Sequence, residues 1–384
     1  MRVRTTAVAA ATTLLGVGAA AVAAGRYITD AALKPAPDRP LPNEPPLTVH
    51  AVDATDATGD RGGGRITLTR SLASLRPGTY GLVGRNCHAV VGPVDEHVAH
   101  PADCVVRRLE RVTHGTLDAG TRVRLTPQVH IGNPGDALGI EHADVDIPGE
   151  LGPLPAWFLP GERTTWVITT HGLGTTREHP MVVMPLLHRL RIPVLDLAYR
   201  GDPGAPRPPD GIGHLGDTEW RDLDAAIRYA VRYGAESVVL HGWSTGASMA
   251  LHAAANSALR HRLSGIVLDS PVLDWRATLR ALAAARRTPA ALLPLAVRAA
   301  EGRTGLHDGK LAEAADPESL PVPTLIVHGP GDTLAPWDAS RELAAARPEL
   351  VTLHPVRHAP HAAMWNADPR GYEEALRRFL TPLI

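Results

Sequence analysis

The chain has 384 residues, enough for two domains or one large domain with an appendage, and its 44% hydrophobic and 21% charged content is that of a globular protein. A net charge of −1 gives no pull toward polyanions, so neither nucleic acid nor an anionic lipid surface is an expected electrostatic partner. Two cysteines exclude a disulfide-rich scaffold.

Residues 1–33 read as a signal peptide or membrane anchor. Arg2 and Arg4 are followed by uncharged small and apolar residues up to Arg26, and Ala21-Val22-Ala23 would suit a signal peptidase. The expected location is outside the cytoplasm: tethered at the outer face of the cytoplasmic membrane, or secreted if the leader is cleaved. A buried Ala-rich helix is the competing reading of the same composition. Residues 34–46 hold six prolines in thirteen positions and read as a stiff linker.

From residue 47 to 161 short β-like runs alternate with Gly, Pro, Asp and Asn: Arg65 to Leu72, Thr79 to Val83, Ala89 to Val94, Val105 to Val112 and Thr121 to Leu125. Helical periodicity appears only around Pro134 to Leu138. This predicts a small β-rich domain whose motifs assign it no role. Its histidines lack metal-ligand spacing. Cys87 and Cys104 fit a single disulfide if the chain is exported; two buried thiols are the alternative.

Residues 162–384 alternate continuous apolar runs with amphipathic ones. Strands are predicted at Trp166 to Thr170, Val194 to Ala198, Ser237 to Leu240, Gly265 to Leu268, Thr324 to Val327 and Val351 to Pro355, with helices between them and a last helix from Pro369 to Leu380. The pattern is that of an α/β fold with a mostly parallel, doubly wound sheet, whose sites form beyond the C-terminal strand ends. A longer helical stretch, about 275–319, interrupts it.

Gly242-Trp243-Ser244-Thr245-Gly246 lies between a buried strand and an Ala-rich helix. Small residues two positions either side of Ser244 let a strand-to-helix turn lift its hydroxyl clear of the sheet. An ordinary αβ turn is the competing reading. Asp332 follows the strand ending at Val327, and His361 follows the last strand. Ser, Asp and His in that order, each after a successive parallel strand, fit a hydroxyl activated by an imidazole that a carboxylate orients. Asp332 also suits a turn cap, Asp269 and Asp274 are rival acids, and His354 and His358 compete with His361. The backbone amides of Leu173, in His171-Gly172-Leu173-Gly174, and of Thr245 are the expected oxyanion donors.

These stretches, with Tyr199-Arg200-Gly201-Asp202, Leu268-Asp269-Ser270-Pro271, Gly329-Pro330-Gly331-Asp332 and Trp365-Asn366, resemble the α/β-hydrolase superfamily from about Trp166 onward. The resemblance is narrower to exported or membrane-tethered bacterial serine hydrolases, near the prolyl-oligopeptidase-like and acyl-hydrolase branches. Ala247 stands where relatives carry a second Gly, and Thr245 where they carry Met or Gln. The resemblance implies an α/β-hydrolase fold, a helical lid over the insert, a Ser244–Asp332–His361 triad, and hydrolysis of a carboxylic ester or related acyl bond through an acyl-enzyme. No cofactor or metal is called for, and the expected partner is a small-molecule or lipid-like acyl substrate, with membrane association through the N-terminal segment. A peptidase or amidase of prolyl-oligopeptidase-like type remains an alternative. So does a non-catalytic envelope binding or scaffold protein built on the same fold.

Overall fold

A computed structural model describes residues 25–27, 29–30, 33–34, 45–53, 64–285, 288–304 and 316–384. The leader reading for residues 1–24 and most of the proline-rich linker lie outside them. Among the described residues no helix is long and apolar enough to cross a membrane.

Six strands close into an antiparallel barrel: β1 (Leu47–Asp53), β2 (Gly64–Thr69), β3 (Tyr80–Gly84), β4 (His88–Val94), β5 (Cys104–His114) and β6 (Arg122–Thr126), in the order β1-β2-β5-β4-β3-β6. Alternate residues fill it, Ile66 and Leu68 from β2 against Val105 and Leu109 from β5, and closure leaves no open edge. The barrel corrects the expected disulfide. Cys87 and Cys104 are both free and buried. Cys87 precedes β4, whose first residue His88 pairs with His114 at the far end of β5, while Cys104 opens β5. Ten residues of strand put them roughly 30 Å apart, against the 7 Å limit for bridged Cα atoms.

After a short helix α1 (Pro134–Leu138), capped by Asn133, an eight-stranded sheet begins. Its order is β14-β13-β12-β11-β9-β10-β8-β7. Six strands are parallel: β9 (Thr165–Thr170), β10 (Val194–Leu197), β11 (Ser237–Trp243), β12 (Leu263–Asp269), β13 (Thr324–His328) and β14 (Val351–Pro355). The hairpin β7 (Ala143–Pro148) and β8 (Pro153–Leu159) adds to the β10 edge antiparallel. This hairpin falls before residue 162, in the stretch expected to belong to the β-rich domain; Pro148 and Pro153 pair at its turn end, and Pro155 lies within β8 opposite Asp146.

Successive side chains of the central strands feed opposite cores. Ile168, Leu240 and Leu268 pack under α3 (Trp220–Arg232) and α4 (Thr245–Asn256). Val167, Val239 and Val267 pack on the face covered by α2 (Met184–Arg189) and α9 (Pro369–Leu380). Burial on both faces explains why these strands read as continuous apolar runs. α5 (Trp275–Ala285) and α6 (Leu293–Thr304) follow β12, and their Trp275, Leu279 and Val297 cluster with Leu33, Leu215 and Leu334. α7 (Trp337–Ala346) follows β13, and the four-residue α8 (Met364–Ala367) precedes α9. From β9 the chain steps to β10 on one side and then to β11 on the other. The loops after β9 and β11 therefore diverge and leave a crevice between their C-terminal ends.

Candidate active site

Ser244 stands at that crevice, between β11 and α4, with φ 53° and ψ −112°. A non-glycine residue in this region costs on the order of 1–3 kcal/mol and persists only where its surroundings enforce it. Here the enforcement is close packing. A Cβ on Gly242 would lie 2.2 Å from the Gly246 carbonyl oxygen, and one on Gly246 would lie 2.2 Å from that of Thr170, so only hydrogen fits either place.

The Ser244 Oγ lies 2.7 Å from His361 Nε2, and His361 Nδ1 lies 2.7 Å from Asp332 Oδ2. All three residues are buried. The other Asp332 oxygen, Oδ1, accepts from the backbone N–H groups of Leu334 (2.8 Å) and Ala335 (2.9 Å), which fixes the plane of the carboxylate. Oδ2 also meets His328 Nε2 at 3.0 Å, and the other nitrogen of His328 meets Ser340 Oγ at 2.8 Å. One hydrogen-bonding scheme satisfies every member: Ser340 donates to His328, both imidazoles donate to Asp332, and Ser244 donates to His361.

Burial alone would raise the Asp332 carboxyl and lower the His361 imidazole. The two groups reverse this in each other. With His328 adding a further hydrogen bond, Asp332 is held well below the usual carboxylate range. His361 is raised above 6.5 by the charge and hydrogen bond of Asp332, with Asp269 contributing.

The rival residues stand elsewhere. Asp269 ends β12, fully buried, and accepts from Ser270 Oγ at 2.8 Å; burial pushes its carboxyl up to about 7. Asp274 is exposed and accepts from the Ala277 amide at the start of α5. His354 is half-buried on β14, and His358 is exposed. Neither meets Ser244 or Asp332. Sequence reasoning missed His328; its place at the last residue of β13, four before Asp332, was the available signal.

The loop after β9 passes directly beside Ser244, since a Cβ on Gly172 would lie 2.8 Å from the Ser244 Cβ. His171 Nε2 lies 2.7 Å from Asp202 Oδ2, and its ring stacks on Tyr199 at 4.5 Å. Burial opposes a charge on His171, but Asp202 prevails and raises it. An ion pair thus anchors the loop that carries Leu173. Among the described residues, the N–H groups of Leu173 and Thr245 have no hydrogen-bond partner. They border a small cavity whose walls include Leu33, Leu215, Tyr199 and Glu219. The Thr245 hydroxyl is also buried there without a partner. Among the described residues no cluster of His, Cys, Asp or Glu could hold a metal ion.

No curated protein matches the sequence. Residues 48–126, the barrel strands, match a family described as Domain of unknown function (DUF8805). An esterase of Pyrococcus furiosus superposes with a TM-score of 0.53 at 23% identity, covering 66% of this chain and 94% of that one. A second crystal form of that esterase gives 0.52 at 20% identity, covering 66% and 96%. An alpha-beta hydrolase from Vibrio vulnificus gives 0.49 at 19%, covering 62% and 81%. The sheet has the α/β-hydrolase fold. At these identities the likeness is one of fold. Within the hydrolase fold, the Ser244 turn and the loop after β9 flank the switch point of the sheet, and Asp332 and His361 follow its last two strands.

Proposed function

We propose that the chain is a serine hydrolase that cleaves a carboxylic ester or related acyl bond through an acyl-enzyme. The observation that carries this reading is the 2.7 Å contact of Ser244 Oγ with His361 Nε2, continued at 2.7 Å from His361 Nδ1 to Asp332. Ser244 attacks the acyl carbon while its proton passes to His361. The carbonyl oxygen becomes an oxyanion and accepts from the N–H groups of Leu173 and Thr245. As the oxyanion collapses, His361 protonates the departing alkoxide. Water then attacks the acyl-enzyme in the same way, His361 taking its proton and returning it to Ser244, so that the acid leaves and the enzyme is restored.

The cavity beside Thr245 is the site read for the acyl group, apolar at Leu33, Leu173 and Leu215. α5 and α6 are read as a cap over it, because their buried side chains join the same apolar cluster. Export, with residues 1–24 as signal or anchor, belongs to the same reading and is tested by fractionating cells that make the full chain. Hydrolysis of nitrophenyl esters by the wild type, and its loss in Ser244→Ala with the fold retained, is the expected result. Preference for aminoacyl-naphthylamides would move the reading to a peptidase. No turnover and no modification by a fluorophosphonate would move it to a binding protein on a hydrolase fold.

A further inference from the structure

The barrel does not stand apart from the site. Asn366, five residues beyond His361, is buried and stitched to the barrel's near end. Its backbone carbonyl accepts from the Thr79 amide at 2.8 Å, and its Nδ2 donates to the carbonyls of Thr79 (3.0 Å) and Pro127 (3.1 Å). Thr79 leads into β3 and Pro127 follows β6, neighbouring strands of the barrel, so the three bonds tie the His361 loop to one rim. Ala363 is a buried member of the barrel's own apolar core. The turn before Thr79 is itself held firmly: the guanidinium of the fully buried Arg107 donates to the carbonyls of Ser74, Arg76 and Gly78, and to that of Gly92 on the neighbouring strand β4.

The loop so held is strained next to its functional residue. Ala362 has φ 54° and His358 has φ 63°, a region other residues leave to glycine unless their surroundings over-determine it. On the sheet side, Ser270 Oγ accepts from the Ala362 amide at 3.0 Å. On the barrel side, Asn366 and Ala363 are fixed. The segment leaving the barrel reaches the other wall of the crevice as well, where Gln128 Nε2 and the Gly132 amide donate to Glu178 at 3.0 and 2.7 Å.

We propose that the six-stranded barrel is a brace for the histidine loop: through Thr79, Pro127 and the Gly78 turn it fixes Asn366, and thereby the strained backbone that presents His361 to Ser244 and Asp332. The inference rests on the hydrolase reading and gives the barrel a role in that reaction. Asn366 and Gly78 act through His361 and are positioning residues. Displacing a reacting group by about 1 Å costs on the order of 10²-fold in rate, so a small shift of the loop is enough to register.

Gly78→Ala tests this from the barrel side. Gly78 has φ 85°, and a Cβ there would lie 2.0 Å from the Asn366 carbonyl oxygen, so the substitution pries the rim from the loop without touching a reacting group. Asn366→Asp tests it from the other side, keeping the shape and removing both Nδ2 donations. With far-UV circular dichroism retained, kcat for a nitrophenyl ester is expected to fall on the order of 10²-fold with KM within about twofold. The low-field NMR proton of His361 Nδ1–H is expected to shift or vanish. Wild-type kcat together with an unmoved proton signal in the folded variants overturns the brace. An inert wild type whose His361 proton still responds to Gly78→Ala would sink the hydrolase reading and leave the brace standing. Hydrogen exchange in the wild type needs no variant: the Thr79 and Ala362 amides should open together, and Thr79 opening with Ala362 protected and the His361 signal intact contradicts the proposal.

Discussion

Asp332→Asn should cost far more than the loss of one charge, because the surrounding donors decide which way the new amide points. Oδ1 faces the N–H groups of Leu334 and Ala335 at 2.8 and 2.9 Å, and Oδ2 faces the nitrogens of His361 and His328 at 2.7 and 3.0 Å. The amide oxygen must take the first position, since an NH2 there would oppose two backbone donors in a buried site, at a cost of about 1–3 kcal/mol for each group left unsatisfied. The NH2 then faces His361 Nδ1 and makes that nitrogen an acceptor. The ring proton moves to Nε2, where it points at Ser244 and prevents the imidazole from taking the hydroxyl proton. The expected loss is on the order of 10⁴-fold in kcat, or about 5.4 kcal/mol of barrier height at about 1.36 kcal/mol per decade. Steady-state hydrolysis of a nitrophenyl ester, with KM measured alongside, reads it. Retention of more than a tenth of wild-type kcat in a folded Asp332→Asn protein would refute the tautomer argument.

Three further outcomes follow from the same geometry. Because Asp332 raises His361 above 6.5 and the base must be neutral to accept a proton, kcat/KM should climb with pH through a midpoint above 6.5; a midpoint below 6.5 would contradict the charge balance. Asp196, fully buried on β10 and accepting from Thr169 Oγ1 at 2.6 Å, is pushed by burial up to about 8. The native state keeps a proton there that the unfolded chain releases near 3.8, so its contribution to stability falls as pH rises toward 8. The stability advantage of Asp196→Asn should therefore grow by about 1.4 kcal/mol per pH unit between pH 5 and 8, as followed by urea unfolding; a gain that does not change with pH rules this out. Thiol titration of the unfolded, unreduced chain should find both Cys87 and Cys104 free, whereas none would restore the disulfide.

The parallel strands and the Ser244 turn were legible in the sequence because each is dictated locally: a strand buried on both faces must be apolar throughout, and a turn this tight admits only glycine at 242 and 246. The positions of Asp332 and His361 were legible because parallel strands deliver their trailing loops to one edge. Other features depend on contacts between distant segments. The hairpin β7–β8 falls in the stretch read as the β-rich domain, because its membership of the larger sheet is set by pairing with β10, later in the chain. Two cysteines seventeen residues apart look bridgeable until the register of β4 on β5 places them at opposite ends. His328 stands one residue past the predicted strand, and Asn366 enters only with Trp365 among the stretches of the resemblance. Their meaning lies in Asp332 and in Thr79, and the latter lies far away in the chain.

The central claim is that the Ser244 hydroxyl is made nucleophilic by the imidazole beside it. Incubation with a fluorophosphonate and peptide mapping by mass spectrometry tests it most directly. A single adduct on Ser244 in folded protein, absent in His361→Ala and slowing as the pH falls below the His361 midpoint, is the predicted result. An unmodified Ser244, or one labelled equally well without His361, would contradict it.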